Sequence, residues 1–257
     1  MKNTERIVPV SALRDNYIWA LCEGRYCVVV DPGEAAPVRN FLAAEGLQLS
    51  AILLTHRHAD HQGGVAALLA DGQVPVHGPR SPDMPLVTHR HEDGASFSLE
   101  GFPARFEVLA VPGHTEEHLA YLHAGHLFCG DTLFAAGCGR LLGGTATQLH
   151  ASLGRLASLP AETLIHCAHE YTLSNLAFAR AVEPDNTALV SREAHCRALR
   201  EQSRPTLPSR LADELATNPF LRCTEPSVRA ALTQRLGRAP VDTLEAFSEL
   251  RRWKDVF

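Results

Sequence analysis

One order of predicted elements occurs twice in the first two thirds of this 257-residue chain: a hairpin, an aspartate, a helix and a strand. The first copy reads YIWALC–YCVVV, Asp31, AAPVRNFLAAEGL and LSAILLT. The second reads LAYLHAGHLFCG, Asp131, ATQLHASLGRLASLP and ETLIHCAH. Because hairpins argue against a purely parallel sheet, the order predicts two sheets packed face to face with helices outside them, an α/β fold.

The pattern changes near residue 170. β-branched runs disappear, and five segments with helical spacing follow, separated by prolines. We therefore predict two domains, residues 1–169 forming the sandwich and residues 170–257 forming a small helical domain.

Composition narrows the class of protein. The net charge of −5 gives no reason to expect nucleic acid as a partner, and no apolar run is long enough to cross a membrane. The N-terminal stretch lacks the apolar core of a signal peptide. Seven scattered cysteines without a C-x-x-C pair are typical of reduced thiols, so we expect a cytoplasmic protein.

The stretch THRHADHQGG directly follows the first copy's buried strand. It places His56, His58, Asp60 and His61 within six residues. A single histidine there would be unremarkable, but four potential ligands in one turn favour a metal site. Four donors exceed what one catalytic ion with an open position needs, which favours two ions.

Three further ligand candidates lie at the ends of other predicted strands. They are His114 in VPGHT, Asp131 in LFCGD and His169 in CAHEY. A carboxylate such as Asp131 can bridge two ions. Asp31 holds the corresponding place in the first copy, before Pro32, and we interpret it as a structural turn residue. We interpret the other histidines as core or surface residues.

Several of these motifs together resemble a known family. T-H-R-H-A-D-H resembles the T-H-x-H-x-D-H signature of the metallo-β-lactamase superfamily. DNYIW, PGHT, FCGDTLF, GCGR, CAHEYT and RRWKD resemble its hydroxyacylglutathione hydrolase (glyoxalase II) branch along nearly the whole chain. The resemblance implies an αββα sandwich with a metal site along one edge and a C-terminal helical substrate-binding domain.

The resemblance also implies residue roles. Two divalent ions, zinc in first place and iron or manganese as alternatives, would be bound by residues that match the family's ligands. The first ion would take His56, His58 and His114; the second would take Asp60, His61 and His169; and Asp131 would bridge. Either Asp60 or Asp131 would also orient the attacking hydroxide, so both are candidate catalytic residues.

The implied reaction is hydrolysis of an S-(2-hydroxyacyl)glutathione, typically S-D-lactoylglutathione, by a metal-bridging hydroxide during methylglyoxal degradation. Arg140, Tyr171, Arg251 and Lys254 match the positions that bind the glutathione part. Two departures stand out, since some members have Lys in place of Arg140, and Leu142 stands where members often have an aromatic residue.

Other readings remain open from the sequence. The same fold hosts β-lactamases, lactonases, tRNA-processing nucleases and persulfide dioxygenases, and a non-catalytic metal or glutathione binding module is a further alternative. A pI near 6.3 argues against a nuclease with a basic exosite. We expect a monomer whose partner is a small-molecule glutathione thioester, with neither nucleic acid nor membrane.

Overall fold

The computed structural model describes residues 5–257, which form two compact units. The first unit runs to Ala110 and includes Glu117–Gly130. The second comprises Val111–Glu116 and Asp131–Phe257. Within the described residues, no helix combines the length and apolar character needed to span a bilayer.

The first unit contains a six-stranded sheet whose strands follow chain order. Its first three strands are antiparallel and the remaining three are added in parallel. The strands are Arg6–Ala12 (β1), Asn16–Glu23 (β2), Tyr26–Val30 (β3), Gln48–Leu53 (β4), Val76–Pro79 (β5) and His89–His91 (β6).

Three helices connect the parallel strands of this sheet: Ala35–Glu45 (α1), Ala59–Gln62 (α2) and Val65–Asp71 (α3). The predicted end of α1 at Gly46 is confirmed, because that glycine adopts the left-handed conformation that closes helices. Aliphatic side chains of the sheet and of α1 and α3 form one buried cluster.

The first unit also contains four antiparallel strands: Ser96–Phe97 (β7), Phe106–Ala110 (β8), Leu119–His123 (β9) and His126–Gly130 (β10). The predicted β9–β10 hairpin is confirmed. Its turn residues Ala124 and Gly125 both have positive φ, as a two-residue hairpin turn with the favoured twist requires.

The second unit is mainly helical, with two short strand pairs. The strands are Leu133–Phe134 (β11), Gly137–Cys138 (β12), Leu164–Cys167 (β13) and Ser209–Arg210 (β14). The helices are Ala146–Ala157 (α4), Thr172–Val182 (α5), Thr187–Glu201 (α6), Leu211–Thr217 (α7), Pro226–Leu236 (α8) and Thr243–Asp255 (α9). Each predicted C-terminal helical segment is therefore a helix.

A buried carboxylate organises the second unit. Glu214 on α7 is fully buried, accepts a hydrogen bond from the Ala136 backbone N–H at 2.8 Å and pairs with Arg192 on α6. Asn218 in turn donates to the Phe134 and Gly137 carbonyls. These contacts fix the β11–β12 turn, which lies between Asp131 and Arg140 in the chain.

Candidate active site

The histidine-rich stretch lies between β4 and α3 in the first unit. The structure brings its four candidate ligands together: His56 Nε2 lies 3.0 Å from His58 Nδ1, and His61 Nε2 lies 3.4 Å from Asp60 Oδ2. The rings of His56 and His61 are 4.0 Å apart, and both residues are buried. Asp60 and His61 lie on the single helical turn of α2, in the segment that the sequence indicated only as a turn.

Asp31 is a residue of this site whose role sequence reading missed. Its Oδ1 accepts a hydrogen bond from the Thr55 backbone N–H at 2.8 Å, and its Oδ2 accepts one from Thr55 Oγ1 at 2.7 Å. The same Oδ2 lies 3.0 Å from His61 Nδ1. The interpretation as a mere turn residue was therefore incomplete, because a carboxylate on Nδ1 fixes the tautomer whose Nε2 is available to a metal.

Hydrogen bonding selects the same tautomer at His56. Thr55 Oγ1 donates to Asp31 and lies 3.0 Å from His56 Nδ1, so it accepts the Nδ1 proton. Nε2 of His56 then carries the lone pair that faces His58. The first unit thus presents imidazole nitrogens and a carboxylate in the form that metals bind.

The DNYIW motif also contributes to this group. Asn16, at the start of β2, donates from Nδ2 to Asp60 Oδ2 at 3.1 Å and to the Asp60 carbonyl at 3.3 Å. Gly33 allows the chain to pass this point, because a Cβ there would lie 2.0 Å from the Asp60 carbonyl oxygen. The position of Asp60 is therefore set by two distant segments.

The second unit brings the other three candidate ligands together. Asp131 Oδ2 lies 3.5 Å from His114 Nε2, and Asp131 Oδ1 lies 3.4 Å from His169 Nε2. His114 Nδ1 lies 2.8 Å from the Arg140 carbonyl, which accepts its proton. Each oxygen of this buried carboxylate thus faces the Nε2 of a different histidine, which is the arrangement that a bridging carboxylate needs.

Comparisons with known proteins place this chain in a family. Residues 13–169 match the metallo-beta-lactamase superfamily, and residues 170–257 match the family described as hydroxyacylglutathione hydrolase C-terminus. A protein of Cupriavidus taiwanensis named hydroxyacylglutathione hydrolase is 52% identical, over 98% of this chain and 99% of its own. The chain belongs to the hydroxyacylglutathione hydrolase family. A relative of the same name from Aeromonas hydrophila is also 52% identical, over 98% of this chain and 99% of its own.

Solved structures agree on the fold. ETHE1 from Myxococcus xanthus has a TM-score of 0.64 at 24% identity, with 98% of this chain and 99% of that chain covered. TTHA1623, solved in a di-iron-bound form, has a TM-score of 0.55 at 33% identity, with 63% and 91% covered.

Membership confirms the predicted family, the metallo-β-lactamase fold and an enzyme of the hydrolase class. The persulfide dioxygenase, the other metallo-β-lactamase-fold hydrolases and the non-catalytic module are not favoured by relatives of this identity and coverage. The histidine and aspartate groups, in a chain of this fold, indicate divalent metal binding.

The four residues predicted to bind glutathione all lie in the second unit, in different surroundings. The Tyr171 ring stacks on His169 at 4.7 Å between centroids, with planes 5° apart. Arg140 is exposed, and so is Leu142, at 53%. Lys254 is partly buried and donates from Nζ to the Ser174 carbonyl at 3.1 Å.

Positive charge is concentrated around Lys254. Burial lowers the pKa of its ammonium group, and the cations of Arg251 and Arg140 lower the pKa further. Each effect disfavours the charged form of Lys254. An anion bound nearby would favour the charged form and would be attracted to it. This part of the second unit is therefore suited to a carboxylate-bearing ligand.

Arg251 faces inward from α9 and is only 4% exposed. Its Nη1 donates to the Cys138 carbonyl at 3.0 Å, its Nη2 pairs with Asp255 at 2.9 Å, and the guanidinium lies over the Phe220 ring. The structure thus attaches Arg251 to the backbone two residues before Arg140.

Proposed function

We propose that this chain hydrolyses S-(2-hydroxyacyl)glutathione thioesters, typically S-D-lactoylglutathione, to glutathione and a 2-hydroxy acid, a step of methylglyoxal degradation. The observation that carries the proposal is the buried Asp131 carboxylate with one oxygen toward His114 and the other toward His169. Together with family membership, it supports a dinuclear hydrolytic centre.

The proposed centre holds two divalent ions. His56, His58 and His114 would bind the first, Asp60, His61 and His169 the second, and Asp131 both. The donor chemistry supports this assignment, because the Nδ1 atoms of His56, His61 and His114 are held by oxygen acceptors. Imidazole and carboxylate ligands suit zinc first, with iron or manganese as alternatives.

Bound divalent ions would lower the pKa of a coordinated water from roughly 15.7 to about 7 and polarise the thioester carbonyl. The side chains supply orientation. Asp60, which is held by Asn16, or Asp131 would orient the attacking water by accepting a hydrogen bond from it. A thiol of pKa near 8.5 leaves as thiolate, so a dedicated general acid is unnecessary.

The cationic group of the second unit would bind the glutathione part of the substrate. Glutathione carries two carboxylates. Arg140 and Lys254 would pair with them, and Tyr171 would contact the same part of the substrate. Arg251 would position Arg140 indirectly, because it donates a hydrogen bond to the Cys138 carbonyl in the segment that leads to Arg140. Leu142 offers no aromatic ring to the substrate, so the binding depends more on charge.

The remaining assignments are also proposals. Residues 1–169 would form the catalytic domain and residues 170–257 the helical substrate-binding domain, which the two family matches support. The scattered cysteines support a reducing, cytoplasmic compartment, and we also propose a monomer that acts on a small molecule.

The test is thiol release by the zinc-loaded protein. S-D-lactoylglutathione should yield one thiol per thioester cleaved, and the rate should fall when the metal is chelated. A small thioester without the glutathionyl carboxylates should be cleaved with a much higher KM. Metal-loaded protein that hydrolyses a β-lactam but no glutathione thioester would contradict the proposal.

A further inference from the structure

Two cysteines that the proposed chemistry does not use face each other across the β2–β3 hairpin. Cys22 on β2 and Cys27 on β3 are direct cross-strand partners. Their Sγ atoms are 3.9 Å apart, within the range of a thiol hydrogen bond. Both thiols are free and both side chains contribute to the buried cluster of the first unit.

The backbone already has the dimensions that a disulfide needs. Directly opposed residues of an antiparallel pair have Cα atoms about 4.5–5.5 Å apart, and disulfides span Cα separations of about 4.4–6.8 Å. The two sulfurs must therefore approach by about 1.9 Å to reach the bond length of roughly 2.05 Å. Side-chain rotation supplies that movement without a change of register.

The two thiols differ in reactivity. The hydrogen bond with Cys27 lowers the pKa of Cys22, burial raises it, the Arg6 cation lowers it, and the Glu45 carboxylate that pairs with Arg6 raises it; the net direction is downward. The same hydrogen bond and burial raise the pKa of Cys27. Thiolate is the reactive form, and Cys22 is also the less buried of the two sulfurs, so Cys22 is assigned the attacking role and Cys27 the resolving role.

Access limits what can react. Cys22 is 4% exposed and Cys27 is fully buried. The pair lies one residue pair from the hairpin turn Gly24–Arg25, where strand ends open most readily. Access through the hairpin end would favour a small oxidant over a bulky tripeptide disulfide.

We propose that Cys22 and Cys27 form a reversible oxidation site for small peroxides. The Cys22 thiolate attacks one peroxide oxygen, the O–O bond breaks, and Cys22 becomes a sulfenic acid while the other oxygen leaves as water or alcohol. The Cys27 sulfur then attacks Cys22, the S–O bond breaks, and water departs with the Cys27 proton. Two thiols are oxidised and one peroxide is reduced, and a small dithiol reverses the reaction.

Peptide mapping of zinc-loaded, full-length protein tests the proposal. Trypsin cleaves between the two cysteines at Arg25, so Cys22 lies in peptide 15–25 and Cys27 in peptide 26–39. After brief hydrogen peroxide treatment and alkylation in denaturant, the two peptides should be joined, with a loss of about 2 Da from the reduced sum. Dithiothreitol should separate them.

Single variants separate the two roles. In Cys27→Ser, peroxide with dimedone should label Cys22, and in Cys22→Ser, Cys27 should stay unlabelled. Cys196 is a matched internal control, because it is buried to a similar degree at 5% exposure.

Two results would overturn the proposal. Peptides 15–25 and 26–39 that remain separate after peroxide treatment would refute the pair as a site, whether or not Cys196 oxidises. Oxidation by glutathione disulfide as fast as by peroxide would refute the restriction to small oxidants. The readout is covalent mass, so it is independent of whether the chain hydrolyses thioesters.

Discussion

Replacing Asp31 with asparagine tests how the site holds a metal through His61. The substitution keeps the side chain's size, and asparagine tolerates the positive φ of 54° at this position. It removes the negative charge of the carboxylate that accepts hydrogen bonds from His61 Nδ1 and from the Thr55 hydroxyl. One end of the amide becomes a donor, so it faces either the Thr55 N–H or the His61 ring unfavourably.

The expected loss follows from the hydrogen bond that is weakened. A hydrogen bond to a charged group contributes about 1.5–3 kcal/mol, which is roughly 13- to 160-fold in an equilibrium constant. Partners of metal-bound histidines typically change affinity by about 10- to 100-fold when they are mutated. Asp31→Asn should therefore weaken binding of the ion assigned to Asp60, His61 and His169 by about 10- to 100-fold. Binding of the other ion should weaken less, because Asp31 reaches His56 only indirectly, through Thr55.

Competition with a chromophoric chelator, monitored by zinc release, measures the two affinities separately. Asp71→Asn is the matched control, because Asp71 is exposed and, among residues 5–257, its carboxylate pairs with Arg39 far from the ligand set. Unchanged affinity for both ions in Asp31→Asn would refute the role given to the Asp31–His61 contact. Equal weakening of both ions, with a lowered melting temperature of the metal-free protein, would instead indicate a purely structural role.

Three further predictions concern charge, pH and the bridge. Lys254→Ala should raise KM for the glutathione thioester about 3- to 100-fold with little change in kcat, and should leave a small uncharged thioester unaffected. The pKa of His77 is lowered to about 3, first by burial and then by the neighbouring His91 and His89. Near pH 6.5 the unfolded chain therefore binds a proton at His77, whereas the folded chain does not. As pH falls from 7 to 5, protonation of His77 in the unfolded chain should therefore lower the unfolding free energy of the metal-free protein by about 1–2 kcal/mol. Denaturant titrations of His77→Phe should show a loss of stability that is smaller by this amount. Asp131→Asn should abolish most turnover whereas His150→Ala, a histidine outside the ligand set, should retain it; comparable activity in both would contradict the bridging assignment.

Local rules explain what the sequence predicted well. Gly46 ends α1 because a left-handed residue is needed there, and Ala124–Gly125 forms the β9–β10 turn for the same reason. The candidate ligands were found because short motifs at strand ends carry them. Family motifs then extended the prediction to the fold and the reaction, and the comparisons confirm the family and the fold.

Contacts between distant segments explain what was missed. Asp31 accepts from Thr55 and His61, which lie 24 and 30 residues further along the chain. The inward orientation of Arg251 depends on Cys138, 113 residues away, and a charged helix end gives no sign of it. The single turn of α2 is too short to be stable alone, and four residues are too few to show the hydrophobic periodicity that predicts a helix.

The dinuclear hydrolytic centre can be tested by zinc titration of the metal-free protein, with thiol release from S-D-lactoylglutathione as the signal. We expect no turnover without metal and a rate that rises to a plateau at two zinc ions per chain. A plateau at one ion would contradict the dinuclear centre. Full occupancy by two ions without any thiol release would contradict the proposed hydrolysis itself.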